Sequence, residues 1–373
     1  MERIQKQFIL KDLPRKMVFI VGPRQAGKTW LAKNIAKDFA NPIYLSYDHL
    51  EDREIIRQES WKSSTDLLIL DELHKMPRWK NYLKGLYDTK PEKLAIIVTG
   101  SARLDILRQA GDSLAGRYFT HHLMPFSPAE LKNTKFAHDI NRFIIRSGFP
   151  EPFLAENQTD ADRWRLQYIE SLIREDIFEL DKIDSLKNIR LVFEMLRTKV
   201  GSPISYKSIA EDVGIAPNTV KKYISILESL YIVFRITPFA KNIARSLVKE
   251  PKLYFYDTGL VKGDNGIKLE NFVAVCLSKH CYAKTDYEGK NYVLHYLRTK
   301  DGIEVDFAIT KEGIVEQIFE VKHKDKNISN SLLYFQQKYN FVATQLVYDL
   351  RQEKRESNID VLRLINFLLT LKL

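Results

Sequence analysis

The sequence predicts an α/β protein: a mostly parallel sheet with helices on both faces, a helix-rich middle, and a second α/β unit. Three observations predict it. Short apolar runs of the kind that form buried parallel strands occupy 17–21, 67–70 and 94–99. The first leads straight into a glycine-bounded loop and then a helical pattern, which is βα order. Strand-like runs return in the last third, at 252–256, 292–297, 303–307 and 314–321, interrupted by a helical stretch from 269 to about 282.

Bulk properties set the limits. A chain of 373 residues exceeds one ordinary core and suits two or three domains. With 45% apolar residues it can bury real cores and is not a disordered chain. A net charge of +10 favours a polyanionic partner, nucleic acid first. Cys276 and Cys281 match no metal or redox spacing, which points to a reducing compartment with at least one thiol packed in a core. Residues 1–16 hold no apolar signal-peptide core, and no apolar run reaches the ~18 residues that span a bilayer. The expectation is a soluble, cytoplasmic protein with no membrane partner.

The loop after the first strand reads Gly22-Pro23-Arg24-Gln25-Ala26-Gly27-Lys28-Thr29, followed by Trp30 and a helical segment. Strand, loop and helix are the context a phosphate-binding loop needs. Gly22 and Gly27 let the backbone turn so that its N–H groups face a phosphate, and the helix N-terminus adds positive potential. Lys28 is placed to reach the β- and γ-phosphates of ATP, and the Thr29 hydroxyl to ligate Mg²⁺. Residues 22–30 are thus the expected nucleotide contacts.

The run 67–70 ends in Asp71-Glu72. Asp71 is expected in the Mg²⁺ shell, and Glu72 is expected to orient or deprotonate the attacking water. The third strand ends in Thr99-Gly100-Ser101, where either Thr99 or Ser101 can touch the γ-phosphate or the water. Arg117, in Ser113-Leu-Ala-Gly-Arg117, can stabilise transition-state charge in cis or from a neighbouring subunit, and Arg24 has an equal claim.

The stretches GPRQAGKT, LLILDELHKMPRW, VTGSARLD and SLAGRYFTHHLMPFSPAEL resemble the AAA-type ATPase domain of a large prokaryotic family of two-part proteins. That family pairs the ATPase with a C-terminal domain long labelled as being of unknown function, and the similarity covers most of the chain. The resemblance implies the usual ATPase roles for Lys28, Thr29, Asp71 and Glu72, an arginine-finger role for Arg117, and assembly in which one subunit completes its neighbour's site.

A Gly-Pro cluster at 148–152 marks a boundary, giving an ATPase domain at 1–150 and a helical linker at 151–200. Trp164, Tyr168, Leu172, Ile173 and Ile177 trace a long amphipathic helix over 160–180 that carries Arg174-Glu-Asp176, a salt-bridged helix face. Residues 201–245 predict a winged helix-turn-helix. Ile209, Ala210 and Val213 line one short helix, Gly214 supplies a turn, and Val220, Ile224, Leu227 and Leu230 line a second, with a wing strand over 232–239. Asn218, Thr219, Lys221, Lys222 and Ser225 fall off the core face, where they suit DNA phosphates and a few base edges.

The last domain, 246–373, carries Asp306 on one strand and Glu320-Val-Lys322 on the next. Strand residues i and i+2 share a face, so Glu320 and Lys322 point the same way; Asp306 can converge from the neighbouring strand and Glu270 from the preceding helix. Carboxylates that hold Mg²⁺ beside a lysine form a phosphodiesterase constellation. The spacing resembles the PD-(D/E)xK nuclease superfamily, which implies a restriction-endonuclease-like α/β/α fold, although Val305 stands where the name has Pro. A helix over 334–339, a strand over 341–348 and a docked helix over 361–373 complete the expectation.

Overall fold

The computed structural model of the protein describes residues 3–100, 114–173, 186–240, 250–324 and 327–373. By packing, the chain divides into two compact units: residues 1–124 with 229–231, and residues 125–228 with 232–373.

The first unit contains α1 (Gln5–Asp12), β1 (Met17–Val21), α2 (Lys28–Ala36), β2 (Pro42–Ser46), α3 (Leu50–Gln58), β3 (Leu67–Asp71), α4 (Trp79–Thr89), β4 (Ala95–Thr99) and β5 (Tyr118–His122). The sheet order is β2-β3-β4-β1-β5, and every pairing in it is parallel. Strands β1, β3 and β4 are buried along their whole length, which is why they read as continuous apolar runs rather than alternating ones. Alternation still sorts their side chains. Met17, Phe19 and Val21 join Leu68, Leu70, Ile96 and Val98 against Trp79, Leu83 and Leu86 of α4. Val18 and Ile20 join Ile69 and Ile97 against Ile9 of α1 and Leu31, Ala32 and Ile35 of α2. Helices therefore cover both faces, and the strand tips after Val21, Asp71 and Thr99 lie side by side at one edge.

The second unit opens with short helices α5 (Ile140–Arg146) and α6 (Pro150–Leu154) and a longer α7 (Gln158–Ser171), then α8 (Leu186–Leu196). The helix expected over 160–180 begins two residues earlier, at Gln158, with Asn157 as its N-cap accepting from the Asp160 N–H. Arg174-Glu-Asp176 lies outside the described residues.

Helices α9 (Tyr206–Val213) and α10 (Pro217–Ser229) flank the expected turn at Gly214, which takes the left-handed conformation at φ 74°. Strands β6 (Val233–Ile236) and β7 (Lys252–Phe255) then pair antiparallel.

After them come α11 (Asn265–Glu288), β8 (Tyr292–Arg298), β9 (Glu304–Lys311), β10 (Ile314–Lys322), α12 (Asn330–Tyr339), β11 (Ala343–Val347), β12 (Lys354–Glu356), β13 (Ile359–Arg363) and α13 (Leu364–Leu368). Their sheet order is β12-β13-β11-β10-β9-β8. Neighbours β8, β9 and β10 run antiparallel, while β10, β11 and β13 run parallel. Helix α12 packs Leu332 and Phe335 with Leu297, Ile318, Ala343 and Ile359.

Two expectations need correction here. Helix α11 runs from Asn265 to Glu288, well beyond 269–282, because Asp264 caps it by accepting from the Ile267 N–H and Gly289 ends it in the left-handed region. The tail is not one docked helix over 361–373: Ile359–Arg363 is a strand paired in parallel with β11, and only Leu364–Leu368 is helical. Alternating burial of Ile359 and Val361 was the signal, masked by the apolar residues that follow.

Candidate functional site: a phosphate loop and a carboxylate cluster

The loop of residues 22–29 joins β1 to α2. Gly22 holds φ 141° and Gly27 φ 95°, conformations that L side chains avoid. A second reason for Gly22 was invisible in the sequence: a Cβ there would lie 2.3 Å from the Leu123 carbonyl oxygen. The Lys28 ammonium is buried and donates to the carbonyls of Gly22 at 3.0 Å and Pro23 at 2.7 Å, so the loop curls around it. Arg24 is half-buried and Gln25 exposed, the latter at φ 61°; Ala26 is buried; Trp30 stands 47% exposed in the first turn of α2.

Asp71, buried at the tip of β3, is the hub of this edge. Its Oδ2 accepts from the Thr29 hydroxyl at 3.0 Å and from the Tyr44 hydroxyl at 2.6 Å. Its Oδ1 accepts from the Thr99 hydroxyl and, at 3.1 Å, from the Glu72 backbone N–H. Sequence reasoning missed Tyr44. Its signal was the register of β2 beside β3, in which Ser46 pairs with Asp71 and Tyr44 with Ile69. Burial and then the hydrogen bond to Asp71 push the Tyr44 hydroxyl above its ordinary pKa. The Lys33 ammonium sits 4.2 Å from the centre of its ring.

Glu72 follows Asp71 in the left-handed region at φ 53°, with His74 Nε2 3.5 Å from its Oε2. Burial, with the adjacent Asp71 carboxylate adding to it, raises the Glu72 carboxyl above the ordinary carboxylate range; Lys28 and Lys75 oppose the rise. Thr99 is buried and bound to Asp71, whereas Ser101 lies outside the described residues.

Arg117 is placed differently from the cis expectation. Its carbonyl accepts from the Met17 N–H, so it stands at the start of β1 and β5, at the opposite edge of the sheet from Gly22. Its guanidinium forms a two-point pair with Asp88, at 2.8 and 3.0 Å. The length of a five-residue strand separates it from its own phosphate loop, a span of roughly 16 Å, so it cannot reach a phosphate bound there.

Residues 14–132 match the AAA domain family. This segment is similar to an AAA domain, and its parallel sheet and glycine-bounded loop resemble those of P-loop ATPases. Residues 137–269 and 265–367 match two domains of unknown function, DUF8612 and DUF4143. An uncharacterized protein of Mycobacterium tuberculosis is 26% identical over 314 residues, covering 80% of this chain and 68% of the relative. An uncharacterized protein of Methanocaldococcus jannaschii is 23% identical over 361 residues, covering 87% and 79%. Among solved structures, a Walker-type ATPase of Pyrococcus abyssi overlaps 69% of this chain and 93% of its own, with a TM-score of 0.46 and 14% identity. The Orc1 protein of Aeropyrum pernix, solved in complex with DNA, overlaps 74% and 93%, with a TM-score of 0.33 and 14% identity. At overlaps this loose, the likeness to an AAA domain rests on the segment's own loop and sheet and on the family match.

The segment matching DUF4143 carries a second group of charged residues. Asp306 on β9 accepts from the Val321 N–H of β10 at 2.8 Å. Lys322 and Glu320, two apart on β10, form an ion pair at 2.8 Å. Glu320 is buried; its Oε1 also accepts from the Ser329 hydroxyl at 3.2 Å, while its Oε2 has no hydrogen-bond partner among the described residues. Glu270 on α11 is near enough that its charge and that of Glu320 act on Asp306. The four residues predicted from sequence thus come together.

Lys252, Tyr254 and Glu304 also belong to the group and were missed. Lys252, buried on β7, pairs with Glu304 Oε1 at 2.7 Å and lies 3.7 Å from Glu270 Oε1. Burial raises Asp306 well above the carboxylate range, with Glu270 and Glu320 adding to it, and burial raises Glu270 against the opposing pull of Lys252 and Tyr254. Among the described residues, however, no three His, Cys, Asp or Glu side chains close into a ready set of ligands for one ion. The proposed helix-turn-helix contacts lie outward on α10: Asn218, Lys221, Lys222 and Ser225 are exposed and Thr219 is half-buried. Both cysteines are buried in α11, which pushes each thiol up to about 12. Among the described residues, no helix is long and apolar enough to cross a membrane.

Proposed function

We propose that the protein binds and hydrolyses ATP and uses that cycle to act on DNA, with a second, cation-dependent phosphodiester site in its C-terminal unit. The observation that carries the ATP reading is the loop of residues 22–29 curled around the Lys28 ammonium, together with an Asp71 carboxylate that gathers the hydroxyls of Thr29, Tyr44 and Thr99.

In this reading the loop N–H groups and Lys28 bind the β- and γ-phosphates, and the exposed ring of Trp30 borders the nucleotide. Glu72 orients the attacking water and takes its proton, a task its raised pKa suits. Both sites fit Mg²⁺. Thr29 and Asp71 would hold it in the first, as few protein ligands as that ion ordinarily uses. Glu270, Asp306 and Glu320 would hold it in the second. There the carboxylates of Glu270, Glu304, Asp306 and Glu320 outnumber the ammoniums of Lys252 and Lys322, and Glu320 Oε2 lacks a partner among the described residues. When bound, the cation supplies positive charge against phosphate oxygens and makes a water more acidic. Lys322 then steadies charge developing on a phosphodiester.

Helices α9 and α10 with the β6–β7 pair read as a winged helix. Asn218, Thr219, Lys221 and Lys222 would meet mainly the DNA backbone, so binding should weaken steeply with salt. The helix α11, the antiparallel strands β8 to β10 bearing Asp306 and Glu320, then α12 and a parallel strand support the nuclease-like reading.

A second reading keeps the ATP switch and removes the cutting. Lys252 inside the cluster already offers Glu270 and Glu304 a cation, and no three ligands are preassembled among the described residues. The C-terminal unit would then bind nucleic acid or protein without hydrolysis. One assay separates the two: ATP and Mg²⁺ with labelled linear, branched and single-stranded DNA, run beside Lys28→Ala and Lys322→Ala. Cleavage lost in Lys322→Ala but accompanied by intact ATP turnover supports the nuclease; no product from any DNA supports the switch.

A further inference from the structure

Strand β7 does more than close a hairpin. Lys252 and Tyr254 are two residues apart on it and share a face. Both reach the same oxygen: the Tyr254 hydroxyl donates to Glu270 Oε1 at 2.8 Å, and the Lys252 ammonium lies 3.7 Å from it. Lys252 is itself tied to Glu304. The backbone of Gly201 closes on the same carboxyl, since a Cβ there would lie 2.9 to 3.2 Å from its atoms. The next residue on α11, the fully buried Asn271, bonds to β7 as a neighbouring strand would: its amide donates to the Phe255 carbonyl at 2.9 Å and accepts from the Phe255 N–H at 2.8 Å. The segment leading into α9 also bonds to this stretch, through Gly201 N–H to the Leu253 carbonyl and Ile204 N–H to the Pro251 carbonyl. Glu270 is therefore oriented from β7, and its hydrogen bond and ion pair among the described residues both fall on Oε1.

We propose that Tyr254 is a positioning residue of the carboxylate cluster, pinning Oε1 of Glu270 so that Oε2 is the oxygen offered to a divalent cation. The inference rests on reading the cluster as a cation site. Outer hydrogen bonds to ligands commonly change metal affinity by about 10- to 100-fold. Here that bond comes from the strand that also anchors the entry to the helix-turn-helix pair.

The test is Mn²⁺ titration of the full chain without nucleotide, followed by electron paramagnetic resonance, on wild type, Asp306→Asn, Tyr254→Phe and Gly201→Ala. Wild type should bind Mn²⁺ and Asp306→Asn should lose that binding. Tyr254→Phe keeps the ring and removes one oxygen. It should weaken binding about 10-fold or more, with the number of ions unchanged, the bound-ion spectrum altered and the melting curve close to wild type. Gly201→Ala presses on the same carboxyl and should weaken binding as well. Tight binding lost in Asp306→Asn but equal to wild type in Tyr254→Phe overturns the role of Tyr254 alone. Wild-type binding no stronger than that of Asp306→Asn overturns the cation site, and the positioning role with it.

Discussion

The two acidic sites solve the same problem in opposite ways. At the phosphate loop one buried carboxylate, Asp71, is surrounded by neutral donors: three hydroxyls and a backbone N–H. In the C-terminal unit, Glu270, Asp306 and Glu320 crowd one another, and burial together with mutual repulsion raises Asp306 and Glu270. Hydroxyl donors fix a charge where it is; crowded carboxylates store a demand for positive charge. Under the proposed function, the first arrangement would aim a cation that arrives with a nucleotide, and the second would attract one.

The largest effect is expected at the loop. Lys28→Ala removes the ammonium the loop encloses and should lower ATP turnover by at least about 10²-fold, measured as phosphate release. Tyr44→Phe deletes one of the donors to Asp71. It should leave nucleotide affinity nearly unchanged while raising the Mg²⁺ concentration for half-maximal turnover by about 10-fold; an unchanged Mg²⁺ dependence would mean that Thr29 and Thr99 suffice.

At the crowded site the expected effect is on stability. The folded protein holds the Asp306 proton to higher pH than the unfolded chain does, so stability falls as pH rises through the folded-state value. In chelator, Asp306→Asn should therefore raise Tm by a few degrees near neutral pH, with the gain shrinking as pH is lowered toward the ordinary carboxylate range. A gain that is constant with pH would contradict the crowding account. The smallest effect is expected at Arg117, bound to Asp88 at the far edge of the sheet. Arg117→Ala should leave turnover by dilute protein unchanged. If the residue completes a neighbouring copy's site, the variant should abolish any rise of specific activity with protein concentration.

Much of this was legible because the loop chemistry is local. Glycines at 22 and 27, a lysine and a hydroxyl need only their neighbours, and the buried strands announce themselves by unbroken apolar runs. Strand alternation put Glu320 and Lys322 on one face, with Asp306 on the neighbouring strand and Glu270 on the preceding helix as residues able to converge on them. What stayed hidden depends on register between distant strands. Tyr44 meets Asp71 only because β2 lies beside β3, and Lys252 and Tyr254 reach Glu270 only through the packing of β7 with α11. The cis alternative for Arg117 was not excluded by the sequence, because sequence order does not say at which end of a strand a residue lies. The tail misled because a strand and a short helix share one apolar stretch.

In the proposed function, residues 22–29 enclose a triphosphate with Asp71 beside its magnesium. Calorimetric titration of the folded protein with ATP and Mg²⁺, repeated on Lys28→Ala and Asp71→Asn, tests it most directly. One saturable site per chain is expected, weakened strongly by the first change and stripped of its Mg²⁺ dependence by the second. Heat absent from the wild type, or identical in all three proteins, would contradict it.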